Sequence, residues 1–166
     1  NVGLALARHL AKRVRAKLVL VGRRSAQAAS GGDGASPDPA PALAAIRKLE
    51  ELGADVLTVQ ADVSDVTQLR EAFAKADERF GGIDGVIHAA GVTSGQSFRA
   101  LGEITRADLE TQFVPKWYGV RALHDALGER RLDFCLLTSS LSVELGGLKF
   151  AAYAAANAIM DQLSEQ

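Results

Sequence analysis

Cysteine is almost absent from this chain of 166 residues, where Cys135 stands alone. One cysteine closes no internal disulfide and builds no cysteine-ligated metal site. Between Phe134 and Leu136 it reads as a buried structural thiol rather than a nucleophile. An excess of charge of one sign is missing too. With 19 Lys and Arg against 20 Asp and Glu the net charge is -1, so nothing electrostatic argues for nucleic acid or an anionic membrane as a partner. Long apolar runs are also lacking. The longest are short and interrupted, too short to cross a bilayer, and His9, Lys12 and Arg13 break the opening run that a signal peptide would need. These absences describe a soluble protein of a reducing, cytoplasmic compartment. With 48% apolar residues, the chain has enough for the core of one ordinary domain.

What is present alternates. "NVGLALARHLAKRVR" is helical, with Val2, Leu6, Leu10 and Val14 recurring on one side. "AKLVLVG" is a short β-branched run that suits a strand buried on both faces. "SAQAASGGDGASPDPAPA", from about 25 to 41, reads as an extended surface loop. "LAAIRKLEELG" is a helix with Leu43, Ile46 and Leu49 on one side and Gly53 as C-cap. "DVLTVQADV" is a second strand. It is followed by a strongly amphipathic helix on Val66, Leu69, Phe73, Ala76 and Phe80. "IDGVIHAAG" and "LDFCLLTSS" are two more strands, and the helical region between them, about 104 to 127, is interrupted at Pro115. A last helix runs from about Ala151 to the end. Strand and helix in alternation predict a Rossmann-like α/β fold, a doubly wound parallel sheet with helices on both faces.

Asn1 sits almost at the start of a helix with no strand before it. In a doubly wound dinucleotide fold the first strand is central, and a G-x-G-x-x-G turn leads from it into the first helix. Gly3 fits the last glycine of that turn. The chain therefore reads as a fragment that lacks the central strand and the C-terminal part. Its sheet should have a gap, and alone it should be unstable or incomplete.

Chemistry gathers at the strand ends. "VGRR" places Arg23 and Arg24 where dinucleotide folds select their cofactor, and with no acid there a 2′-phosphate, hence NADPH, is favoured. The same position serves equally well for solvated surface charges. In "ADVSD", Asp62 with the amide of Val63 suits an adenine edge, while Ser64 or Asp65 caps the next helix. In "HAAG", Ala89, Ala90 and Gly91 are small enough for a flat cofactor to lie against the backbone, and His88 reads as a structural hydrogen-bonding residue. "TSS" ends the last strand at Ser140, and Tyr153 follows at the start of a helix. Two such hydroxyls meeting in space can bond one carbonyl oxygen, the serine polarising it and the tyrosine giving a proton. Taken singly, such serines cap turns and such tyrosines pack. "YAAAN" then sets Asn157 one helical turn after Tyr153. A lysine is the natural residue there, because a free phenol has a pKa of about 10.

Taken in order, "GLALARHLA", "ADVSD", "HAAG" and "YAAANAIMDQL" resemble a short-chain dehydrogenase/reductase, and most closely the ketoreductase domain of a modular polyketide synthase. The resemblance covers essentially the whole chain. It implies that lysine and asparagine have exchanged places: Asn157 follows the tyrosine, and Lys116 in "FVPKWYGVRAL" supplies the displaced charge. Pro115 should break or kink that helix, or begin a new one, leaving Lys116 in a first turn. By the same resemblance, NADPH reduces a β-ketoacyl thioester borne on the phosphopantetheine arm of an acyl carrier protein, with Lys116, Ser140, Tyr153 and Asn157 as the catalytic set. Other synthase domains are the implied partners. Two stereochemical fingerprints of that group are missing. Thr93, Ser94 and Gly95 stand where one class has Leu-Asp-Asp, and Leu145 where the other has tryptophan. The product configuration is thus left open. A free-standing reductase of a small ketone and a non-catalytic scaffold domain are the rival expectations.

Overall fold

The structure, a computed structural model, describes residues 2–23, 40–93, 95 and 97–164. Arg24, Ser94 and the Gly/Ser-rich stretch 25–39 lie outside them. Helices and strands alternate as α1 (Val2–Val14), β1 (Lys17–Gly22), α2 (Ala40–Glu51), β2 (Asp55–Gln60), α3 (Val66–Phe80) and β3 (Gly85–His88). Then follow a 3-10 turn (Leu101–Glu103), α4 (Arg106–Phe113), a π-helical turn (Val114–Tyr118), α5 (Gly119–Leu127), β4 (Phe134–Leu137), α6 (Ser142–Leu145) and α7 (Ala151–Ser164). The strands pair in parallel as β1 with β2, from Lys17 opposite Asp55 to Gly22 opposite Gln60, and as β3 with β4, from Gly85 opposite Phe134 to His88 opposite Leu137. They form two two-stranded sheets in an α/β arrangement.

The chain divides into two compact units. The first comprises residues 1–62 and 71–83, the second 63–70 and 84–166. In the first, Ala7, Ala11, Leu49 and Ala54 form the core, with Leu18, Leu20, Leu52 and Val56 packed on it. The buried face of α1 therefore runs through Ala7 and Ala11. Val2 and Val14, expected on that face, are 61% and 67% exposed. Small side chains let α1 approach its neighbour closely, and the valines at its two ends overhang the contact. α2 begins earlier than its apolar periodicity suggested, because Pro41 is tolerated in the first turn of a helix. It ends as expected: Gly53, at φ 93°, donates its N–H to Glu50 O at 2.8 Å, a left-handed cap that suits glycine. Asp65 caps α3, accepting from the N–H groups of Thr67 and Gln68 at 2.9 and 3.1 Å.

β1 is half-buried along most of its length rather than covered on both faces. Cys135 likewise is exposed, not buried. It lies in β4, whose Phe134 and Leu136 are 48% and 44% exposed, since among the described residues β4 pairs with β3 alone. Desolvation still raises its thiol pKa above the usual value, which keeps it a poor nucleophile.

In the second unit α7 packs against α4 and the π turn. Thr105 and Asp108 form a reciprocal capping box at the start of α4. Pro115 does not break the helix. The flanking residues Val114 and Gly119 keep right-handed helical dihedrals, and the Gly119 N–H bonds to Val114 O. Widening the ladder to an i→i+5 bond absorbs the missing proline N–H, so α4 and α5 run on through a π turn.

Candidate active site

The residues expected to react all lie in the second unit, on three elements. Lys116 projects from the π turn and is only 4% exposed. Its Nζ donates to Thr138 O at 2.6 Å, at the exit of β4. Burial lowers the pKa of this ammonium below the ordinary lysine value, and the charge of Asp161 partly offsets the shift. The stem of the lysine lies on Gly91: a Cβ at that position would stand 3.2 Å from Lys116 Cε. Glycine closes the "HAAG" turn for this reason, since a side chain would push the lysine away.

Ser140 follows two residues after Thr138. Its Oγ accepts from the Ser142 N–H at 3.2 Å and is 3.0 Å from Ser142 Oγ, so the start of α6 fixes its rotamer. Tyr153 stands in the first turn of α7, its ring against Phe98 and Phe150 at centroid distances of 5.6 and 5.9 Å. One turn on, Asn157 is fully buried. Its Nδ2 donates to Tyr153 O at 2.8 Å, while its Oδ1 is buried without a hydrogen-bond partner among the described residues. A buried acceptor of this kind costs free energy unless a donor reaches it, and such exceptions gather where chemistry is done.

The expected cofactor residues divide between the units. In the first, Gly3 lies within α1, Arg23 is exposed at the end of β1, and Asp62 follows β2. The Arg23 backbone oxygen accepts from Gln60 Nε2 at 3.1 Å. In the second lie Val63 and, after β3, Ala89, Ala90 and Gly91. Leu145, at the tryptophan place, is 79% exposed on α6.

Three contributors escaped the sequence reading. Asp161, whose Oδ2 accepts from Ser139 Oγ at 2.8 Å, supplies the negative charge facing Lys116. It was legible in principle, since Tyr153, Asn157 and Asp161 follow one another at four-residue steps along α7. Phe98 and Phe150, which flank Tyr153, lie on irregular segments and leave no periodic signal.

The family described as KR domain matches residues 1–166. The chain belongs to that family. KR domains are ketoreductases of the short-chain dehydrogenase/reductase oxidoreductases, with a Rossmann-like fold and a nicotinamide cofactor. Polyketide synthase PksM of Bacillus subtilis (strain 168) is 33% identical over 157 residues, which are 95% of this chain and 3% of that protein. A 6-methylsalicylic acid synthase of Arthrobotrys oligospora is 33% identical over 167 residues, 99% of this chain and 9% of that protein. Among solved structures, an N-terminal ketoreductase from the macrolactin assembly line aligns at TM-score 0.82 and 30% identity, over 99% of this chain and 31% of that one. The KR chain thus spans a small part of the curated relatives it matches. Among its described residues no helix is long and apolar enough to cross a membrane.

Proposed function

We propose that this KR chain serves the NADPH-dependent reduction of a β-ketoacyl thioester to the β-hydroxyacyl thioester during polyketide chain extension. The substrate is carried by an acyl carrier protein in a cytoplasmic multienzyme. The observation that supports this best is Lys116. A lysine that is 4% exposed, with one N–H on Thr138 O and its stem on Gly91, has two further N–H donors, for which no partner appears among the described residues. Such donors suit the ribose hydroxyls of a nicotinamide nucleotide, and the small residues Ala89, Ala90 and Gly91 suit its close approach to the backbone. Arg23 and Arg24 are the residues for a 2′-phosphate, Asp62 and Val63 those for the adenine, and Gly3 belongs to the pyrophosphate turn.

When bound, the nicotinamide supplies the hydride that goes to the β-carbon. Ser140 holds the carbonyl oxygen through its hydroxyl, and Tyr153 gives that oxygen its proton as negative charge develops. The Lys116 ammonium stabilises the phenolate left behind, an attraction strengthened by the burial of the lysine. Asn157 completes the relay with its unpartnered Oδ1, an acceptor for a donor that returns the proton. Phe98 and Phe150 hold the tyrosine ring in place.

The test follows NADPH consumption by the full-length protein with a β-ketoacyl thioester, comparing wild type with Tyr153→Phe and Lys116→Ala. Turnover that collapses in both variants supports the reductase and the displaced lysine together. Turnover that survives Lys116→Ala but not Tyr153→Phe removes the lysine from the mechanism. A folded, NADPH-binding wild type that does not turn over overturns the reading.

A further inference from the structure

His88 ends β3 and is 5% exposed. Its Nε2 lies 2.8 Å from Pro115 O. A carbonyl oxygen only accepts, so the ring donates through Nε2–H, and a neutral imidazole suffices. Burial lowers the His88 pKa, the bond to Pro115 raises it less, and the nearby Lys116 charge lowers it further. The ring also touches the far end of the π turn: a Cβ on Gly119 would stand 3.3 Å from His88 Cε1. One side chain therefore meets both Pro115, which precedes Lys116, and Gly119, whose N–H closes the turn. The backbone of His88 holds the other end of the lysine. His88 O accepts from Thr138 N at 3.0 Å and from Thr138 Oγ1 at 3.2 Å, and Thr138 O is the acceptor of Lys116 Nζ.

We propose that His88 is the positioning residue for Lys116, its Nε2–H holding the π turn that carries the lysine while its carbonyl holds the strand exit that receives the ammonium. The consequence for turnover rests on the reading of Lys116 as part of the reductase site. A π turn is a local departure from the α-helical ladder that needs outside support, and here the support is a bond to a carbonyl beside the lysine.

The experiment compares His88→Phe, His88→Gln and wild type in the full-length protein. Phenylalanine keeps the ring and removes the donor, whereas the glutamine amide returns an N–H near the Nε2 position. Two readouts are taken: kcat and KM for a β-ketoacyl thioester, and the rate at which an amine-acylating reagent labels Lys116, located by mass spectrometry. H88F is expected to lower kcat by about ten- to a hundredfold with KM little changed, as a small displacement of a catalytic group does. It is expected to speed Lys116 labelling by about tenfold, as local opening does. H88Q should bring both back close to wild type. If H88F does not fold, H88N, whose amide ends short of the Nε2 position, takes its place with the same expected losses. Wild-type labelling and kcat in folded H88F, or in H88N where it stands in, would overturn the proposal, as would an H88Q as impaired as that variant. If wild type fails to reduce the thioester while the labelling order holds, the positioning of Lys116 stands and the reductase reading falls.

Discussion

The two units share an apolar interior, Leu69, Val120, Leu123 and Met160 being buried in the second, and differ in their buried polar side chains. In the first, the buried residues are apolar, Ala7, Ala11, Leu49, Ala54 and Val59 among them. Among the described residues, those that are buried and polar or charged (His88, Ser97, Asp108, Gln112, Lys116, Ser142 and Asn157) all belong to the second. Burying a polar group costs free energy unless it is hydrogen-bonded. Part of the second unit meets that requirement locally: Gln112 Nε2 donates to Ser97 Oγ at 2.8 Å, and Asp108 sits in its capping box with Arg99 at 3.1 Å. Lys116 and Asn157 do not fully meet it, the one a desolvated cation and the other with an orphaned oxygen. Both units pack on apolar side chains, and among the described residues the second alone also buries polar ones.

Lys116→Met should break the contrast most sharply. NADPH-dependent turnover is expected to fall by roughly 10²- to 10³-fold, the usual weight of a group that stabilises developing charge. The melting temperature should hold or rise, because an apolar side chain of similar volume escapes the desolvation that dominates this lysine. A fall in both would mean that the bond to Thr138 supports the fold. Leu49→Ala tests the other unit. Its 2% exposure places it in the core, so urea unfolding should show a loss of about 2–5 kcal/mol. Turnover per folded molecule should be unchanged, and a drop would merge the two roles that the contrast separates. Thr105→Ala removes the side-chain half of the α4 cap and should cost about 1 kcal/mol in the same measurement.

The smallest effect is on the pH dependence of stability, and it belongs to the second unit. His88 has a folded pKa below the ordinary imidazole value of about 6.5. The unfolded chain therefore binds more protons between the two values, and stability is lost as pH falls from near 6.5 towards the folded value. Asp108 adds a loss at lower pH. Hydrogen bonds from the Thr105 side chain and then its backbone, with Arg99 beside it, hold its pKa below the carboxylate norm, so its contribution fades as pH falls through that folded value. Chemical unfolding across the acid range should show the first loss in wild type and less of it in His88→Gln. Equal losses in both would assign it to another group.

The π turn shows how far residue types alone reach. Pro115 marks an irregularity, because a proline inside a helix removes a donor wherever it stands. Whether the chain breaks, kinks or widens is decided by what packs on it, and here His88 bonds Pro115 O from twenty-seven positions away. The helix face of α1 makes the same point. Periodicity finds the helix, while the choice between its valine and alanine stripes waits on how closely α2 approaches. Cys135 is a third instance: an apolar neighbourhood in sequence predicts burial, but exposure is set by which strands lie alongside.

By itself the sequence determined the alternation of helix and strand, the cap at Gly53, a cap for α3 at Ser64 or Asp65, and the order of short motifs that marks the KR family. Each of these is carried by neighbours along the chain, through periodicity, backbone preference or wording. Only the tertiary structure decided that Lys116 is buried on Gly91, that Asp161 faces it, that Phe98 and Phe150 enclose Tyr153, and that His88 holds the π turn. Those are contacts between residues distant in sequence, and their energies depend on distance and burial, which no local pattern encodes.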